Sequence, residues 1–188
     1  MDFDTAFKVT GTSKYLHGYQ HFYKEMFEHL EIDSILEIGV QRGFSLKSWR
    51  MLWPNAVIEG VDLDGTIKPK YPREVAEDFT IFHFDSTDSS DVNSYIDRKY
   101  DVIIDDGDHR WISQLKTFSN FRNFCNKYYV IEDICGEYSE KKILERLHPD
   151  IIARSKMFHG IGPTRTFQHS DNIEKDAQYR VLFIDLRG

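Results

Sequence analysis

Ser34-Ile35-Leu36-Glu37-Ile38-Gly39, continued by Val40-Gln41-Arg42-Gly43, is the stretch whose reading decides the fold. The five residues Ser34–Ile38 make a mainly apolar run of strand length, a turn bearing two glycines follows, and Leu46, Trp49 and Trp53 then recur at helical spacing until Pro54. This is a strand, a tight turn and a helix. Four similar runs follow: Ala56–Asp62, Phe79–Asp85, Tyr100–Asp106 and Tyr128–Asp133. Each closes on an acidic residue, and helical patterns separate most of them. Buried strands alternating with helices predict an α/β, Rossmann-like, mostly parallel sheet covered on both faces. Ligands of such sheets bind beyond the carboxyl ends of the strands, so the acids are expected along one edge.

Outward from that core, Tyr19, Phe22, Tyr23, Met26, Phe27 and Leu30 form one apolar stripe of a helix. Residues 1–13 read as a weakly structured lead-in, and 65–78, with Gly, Pro and many charges, as a loop or short helix. Asp88–Tyr95 is expected to be a short helix capped near Ser89, Ser90 or Asp91, with further helices at Trp111–Cys125 and Ser139–Leu147. Two last strands, around Ile151–Phe158 and Tyr179–Asp185, flank the breaker cluster Gly160-Ile161-Gly162-Pro163. With no helix between them they predict an antiparallel C-terminal hairpin on the sheet edge. The 188 residues fit one domain: 1–30 as lead-in and lid helix, 31–135 as cofactor-binding core, 136–188 as C-terminal helix and hairpin.

The net charge of −7 argues against general nucleic-acid affinity. Cys125 and Cys135, the two cysteines, are too few for a disulfide scaffold and lack metal-ligand spacing, which fits a cytoplasmic address. No apolar run approaches the roughly 18 residues that span a bilayer. Met1-Asp2-Phe3-Asp4 is acidic, unlike the start of a signal peptide.

In the first turn, Gly39 and Gly43 let the backbone approach a ligand, and the helix behind them offers N–H groups to a carboxylate. The spacing G-x-x-x-G differs from the G-x-G-x-x-G of nicotinamide and flavin folds, whose middle glycine makes room for a pyrophosphate. Glu37 before it suits a cofactor with an amino-acid end. Asp62, ending the second strand, is placed to accept both ribose hydroxyls, with Asp64 as competitor. Asp85, beside Ser86 and Thr87, lies where an adenine amino group would be, or else caps a helix. His17 and His21 are four apart but lack the H-E-x-x-H glutamate, which favours a structural or lid role. Trp111 either walls an acceptor pocket or packs, and His159, Arg165 and His169 either touch an acceptor or lie in a solvated loop.

Ile35-Leu36-Glu37-Ile38-Gly39 with Gly43, then Gly60-Val61-Asp62, then Phe84-Asp85, resembles class I S-adenosylmethionine-dependent methyltransferases. That resemblance implies a seven-stranded sheet ending in an antiparallel hairpin. Ser13-Lys14-Tyr15-Leu16-His17-Gly18-Tyr19 with Tyr23, and Asp105-Asp106-Gly107-Asp108-His109, resemble the metal-dependent sugar O-methyltransferases of macrolide biosynthesis and the cephalosporin-hydroxylase-like group. The resemblance covers roughly residues 11–135. The chain is expected to lack the extra N-terminal domain of some macrolide enzymes, so their substrate and assembly are not carried across.

The resemblance implies S-adenosylmethionine as methyl donor, a divalent ion such as Mg²⁺ on Asp106, Glu132 and Asp133, and His109 as base. Hard cations favour such carboxylate sets. Asp105 is the substitute for Asp106 if the strand end is shifted by one, and otherwise stands beside the cofactor. The resemblance also implies that His17, with Lys14 and Tyr19, closes over the cofactor, and Asp108 is read as a helix cap. The acceptor is a small hydroxylated molecule, a sugar or glycosylated metabolite. The competing readings are metal-independent methyl transfer, a cofactor-binding module without catalysis and, less favoured, a nicotinamide oxidoreductase.

Overall fold

The computed structural model describes residues 1–63, 78–169 and 173–187. Asp64 and nearly all of the 65–78 stretch therefore lie outside the described residues. Ser34–Ile38 is β1, buried along its whole length. It is followed by α3 (Phe44–Leu52), β2 (Val57–Asp62), β3 (Thr80–His83), α4 (Ser89–Tyr95), β4 (Tyr100–Asp105), α5 (Trp111–Phe121) and β5 (Cys125–Cys135). Ahead of β1 stand α1 (Phe3–Thr10) and α2 (Tyr19–Phe27), joined by a 3₁₀ turn at Ser13–Tyr15. After β5 come α6 (Gly136–Leu144), α7 (Pro149–Ala153), β6 (Ser155–His159), β7 (Arg165–Gln168), β8 (Ile173–Ala177) and β9 (Tyr179–Asp185).

Seven strands form one sheet in the order β3-β2-β1-β4-β5-β9-β6. β1 pairs in parallel with β2 and β4, and β5 in parallel with β4. β9 runs antiparallel between β5 and β6. Chain order reverses between β1 and β4, which opens the crevice where doubly wound sheets bind ligands.

Period-two alternation divides the strands between two cores. Ile35, Ile58, Val102, Ile104, Val130 and Phe183 face α1, α2 and α3. Leu36, Val61, Ile103, Tyr129, Ile131 and Leu182 face α4 to α7. β1 and β4 are buried on both sides, which is why their sequences read as unbroken apolar runs. Among the described residues, no helix is long and apolar enough to cross a membrane.

Several elements differ from expectation. The lead-in contains α1, capped where the Asp2 carboxylate accepts from the Thr5 amide and hydroxyl. Its turns are too few for a clear helical period, but Phe3, Ala6 and Phe7 are buried. The cap of α4 is Asp88, one residue before the expected candidates. Ile151–Phe158 divides into α7, started by Pro149, and β6. The C-terminal hairpin is present as the neighbours β6 and β9, but a second antiparallel pair, β7 and β8, is inserted between them.

The Phe7 ring is fully buried, edge-on to Trp49 at 5.2 Å and 6.0 Å from Tyr23. Phe7→Ala should cost about 3–5 kcal/mol of stability, read by urea denaturation. A loss indistinguishable from an exposed substitution such as Val9→Ala would show that α1 is not part of the core.

Candidate functional site

A cavity of about 520 Å³ opens at the carboxyl edge of the sheet, along the ends of β1 to β5. Its floor is the turn after β1. The Gly39 amide donates to the Val61 carbonyl and the Asp106 amide to the Ile38 carbonyl, both at 2.8 Å, so β2, β1 and β4 are locked side by side at their ends. Gly39 has φ 88°, and a Cβ there would run into the Asp106 carbonyl. Gly43, φ 75°, stands at the start of α3. Three residues other than glycine adopt left-handed backbone among the described residues, Gln41, His109 and Asp133, and all three line this cavity. Such strain gathers where surrounding structure holds a side chain in a working position.

Asp62 lines the cavity at the end of β2, accepting from the Gln41 and Leu63 amides at 2.8 Å. Asp85 lines it with Ser86 and Thr87. Its Oδ1 accepts from the amide and hydroxyl of Thr87 at 2.8 Å, an Asx-type turn rather than a helix cap. Ile38 and Phe84 supply apolar wall between these acids. Asp105 is buried beneath, accepting from the Gly107 amide at 3.3 Å. Burial pushes its carboxyl up to about 8.

Glu37 and Lys14 lie under the floor. Glu37 is fully buried, accepting from the Ser45 hydroxyl at 2.6 Å and the Trp49 indole at 2.7 Å. The Lys14 ammonium is 3.2 Å from Glu37 and 2.6 Å from Asp106, and is also paired with Glu132. Burial by itself would depress this ammonium, but the charges of Asp106, Glu132 and Glu37 outweigh it and hold Lys14 well above its ordinary value. Burial raises the Glu37 and Glu132 carboxyls, against the pull of Lys14.

Asp106, His109 and Asp133 meet at the cavity wall, each offering one ligating atom within 4.8 Å of the others. The two carboxylates are held in the same way. Asp106 gives Oδ2 to Lys14, and its Oδ1 lies 3.9 Å from His109 Nδ1. Asp133 takes the Tyr19 hydroxyl on Oδ1, and its Oδ2 lies 3.9 Å from His109 Nε2. One oxygen of each acid is pinned by the segment before or within α2, and the other turns towards the histidine. Burial, then the charge of Asp106, raises the Asp133 carboxyl. Two hard carboxylate oxygens in so small a space fit a divalent cation, with the imidazole beside them.

Glu132, expected in this set, lies beneath it and shares the Lys14 ammonium with Asp106. Its carboxylate is fully buried, occupied by Lys14 and the Tyr23 hydroxyl, and Gln114 donates to its carbonyl at 2.8 Å. The register of β5 against β9 shifts between Ile131 and Ile134 and Asp133 has left-handed backbone, and the two carboxylates are held separately, Glu132 by Lys14 and Tyr23 and Asp133 by Tyr19. Lys14 likewise reaches the site from below, while His17 lines the cavity against the Tyr19 and Tyr179 rings. Asp108 accepts from Arg110 and Ser113 at the start of α5. Trp111 packs under the Arg146 guanidinium at 4.6 Å and is not part of the lining. Sequence reading missed Gln41, Gln114 and Tyr179. The nearest signal for Gln41 was its position between the two turn glycines.

No protein-family model and no curated protein matches the chain. Solved structures do. The MycE methyltransferase of the mycinamycin biosynthetic pathway, in complex with Mg and SAH, is similar over 100% of this chain and 55% of its own, at 20% identity and TM-score 0.65. MycE in complex with Mg, SAH and mycinamycin VI gives 19% identity and TM-score 0.63 over 98% of this chain and 53% of its own. An O-methyltransferase from Bacillus cereus in complex with SAH gives 10% identity and TM-score 0.56, covering 97% of this chain and 90% of its own. The chain thus spans about half the length of MycE. At these identities the likeness concerns architecture. Joined to the strand order β3-β2-β1-β4-β5-β9-β6, it shows that the chain has the class I S-adenosylmethionine-dependent methyltransferase fold.

Proposed function

We propose that the chain is an S-adenosylmethionine-dependent O-methyltransferase acting on a small hydroxylated acceptor, a sugar or glycosylated metabolite, with a divalent ion at the acceptor side. The observation that carries this reading is the convergence of Asp106, His109 and Asp133 within 4.8 Å, in the same cavity as Asp62 and the Gly39 turn. MycE, solved with Mg, SAH and mycinamycin VI, supports the acceptor class and the metal by similarity of fold. The reading treats the chain as one domain with a cytoplasmic address.

Asp62 accepts the ribose hydroxyls, Asp85 faces the adenine edge between Ile38 and Phe84, and the Gly39–Gly43 turn receives the methionine end. Asp105, Glu37 and Lys14 act from beneath, holding that turn against the ends of β4 and β5. His17 closes the cavity from above. Asp106 and Asp133 hold the ion. When bound, S-adenosylmethionine supplies an activated methyl group and the ion lowers the proton affinity of the acceptor hydroxyl. His109, with Nδ1 on the Asp106 side, is the base that takes the hydroxyl proton. What remains for the protein is alignment of acceptor oxygen, methyl carbon and sulfur.

Three outcomes test this. Asp62→Ala should weaken S-adenosylmethionine binding about 10- to 100-fold, the worth of hydrogen bonds to a charged group, with unchanged circular dichroism. Equal affinity by calorimetry would remove Asp62 from the ribose. Chelation should abolish turnover of a diol acceptor and Mg²⁺ should restore it, while Asp106→Ala should abolish the metal-stimulated rate with cofactor affinity little changed. Turnover indifferent to chelator would end the metal proposal, and cofactor binding without turnover of any diol would favour a non-catalytic module. Lys14→Met strands three carboxylates and should cost about 3–5 kcal/mol in urea denaturation. Wild-type stability would mean that Lys14 does not balance them.

A further inference from the structure

Arg165 is the one lysine or arginine among the described residues lining the cavity, against six aspartates: Asp62, Asp85, Asp105, Asp106, Asp108 and Asp133. A cationic sulfonium accounts for some of that negative wall. It does not account for an exposed guanidinium that has no carboxylate within ion-pair distance among the described residues. Arg180, nearby on β9, differs in this: it is paired with Glu137 and Glu140.

Arg165 is held in place. Its guanidinium lies 5.4 Å from the centre of the Tyr179 ring, which in turn meets Phe167 at 5.0 Å and His17 at 5.3 Å. Stacking on an aromatic face leaves the edge N–H groups of an arginine available to a planar or tetrahedral oxyanion. The hairpin carrying it is fastened to the body of the protein. β7 pairs with β8, and Glu174 of β8 accepts the Glu137 and Tyr138 amides at the start of α6, at 2.8 and 3.2 Å.

Its position is remote from the proposed nucleoside end. Tyr179 opens β9 and pairs with Cys135 of β5, two residues beyond Asp133. The proposed adenosine acids end β2 and follow β3, on the opposite side of β1. Three strand spacings separate β1 from β9, about 14 Å. Along the sheet edge, Asp106 and Asp133 stand between the nucleoside end and Arg165.

We infer that Arg165, seated on Tyr179, forms an anion subsite for the methyl acceptor, which therefore carries a carboxylate or phosphate group besides the hydroxyl that is methylated. This rests on the methyltransferase reading for the identity of the ligand as acceptor. Arginine meets either oxyanion through paired N–H donors, so hexuronates and hexose phosphates are the two sources to be separated.

The test uses the full chain, Arg165→Gln and Arg165→Lys. Formation of S-adenosylhomocysteine is followed with three acceptor arms: neutral hexoses, hexuronates and hexose phosphates. In the wild type one anionic arm should be preferred. In Arg165→Gln, kcat/KM for that arm should fall about 10- to 100-fold, chiefly through KM, erasing the preference. Arg165→Lys should restore part of it. Calorimetry should show the same S-adenosylmethionine affinity in all three. Separately, the Arg165 Nε–H resonance of the wild type should shift saturably with acetate or inorganic phosphate in Mg²⁺-free buffer. Three results would overturn the subsite: neutral and anionic arms used alike, a tenfold loss of cofactor affinity in Arg165→Gln, or a resonance that responds to neither anion. A wild type that neither binds S-adenosylmethionine nor methylates any arm would defeat the methyltransferase reading instead, and the resonance would still decide the anion subsite.

Discussion

The ammonium of Lys14, sealed beneath the cavity against Glu37, Asp106 and Glu132, is the interaction on which the site depends. These three acids come from β1, the turn after β4 and β5, strands that the fold brings together by their ends. Three carboxylates crowded there without a cation would have to bind protons or break the packing. Lys14 supplies the compensating charge from the segment between α1 and α2, and so ties that segment to the sheet. Tyr19 and Tyr23, a few residues on, continue the fastening by donating to Asp133 and Glu132. Charge compensation and closure of the cavity are thus one set of contacts.

The fastening also sets the chemistry. Because Lys14 and Tyr19 each take one oxygen, Asp106 and Asp133 present their remaining oxygens towards His109 from two sides. The histidine and Asp133 hold left-handed backbone to do so, with φ 61° and 51°. The proposed donor, ion and acceptor then succeed one another along the sheet edge, from Asp85 and Asp62 past Asp106 and Asp133 to Arg165.

The core strands were legible because burial on both faces forces continuous apolar runs and each run ends in an acid or glycine at the turn. Ser34–Ile38 matched to the residue for that reason, and the acids at strand ends needed only the parallel topology to be brought to one edge. What stayed hidden depends on contacts distant in sequence. Nothing local marks Lys14 as the partner of residues 23, 92 and 118 positions away, or tells that Glu132 goes to Lys14 and Tyr23 while Asp133 goes to Tyr19. α1 was hidden by its shortness: two capped turns bearing Phe3 and Phe7 gain stability by packing against Trp49 and Trp53. β7 and β8 are short and mostly exposed, so the alternation that marks a half-buried strand is weak in them. Their contribution to the cavity, Arg165, was named with His159 and His169 as touching an acceptor or lying in a solvated loop, and nothing local decided between the two.

Diffraction from crystals grown with S-adenosylhomocysteine and Mn²⁺ tests the central claim most directly, because the anomalous signal of manganese locates the cation independently of the protein density. An anomalous peak bonded to Asp106 and Asp133 is expected, with Lys14 still buried on Glu37 and Glu132 and the nucleoside ribose on Asp62. A peak elsewhere, or a nucleoside bound away from the Gly39 turn, would contradict it.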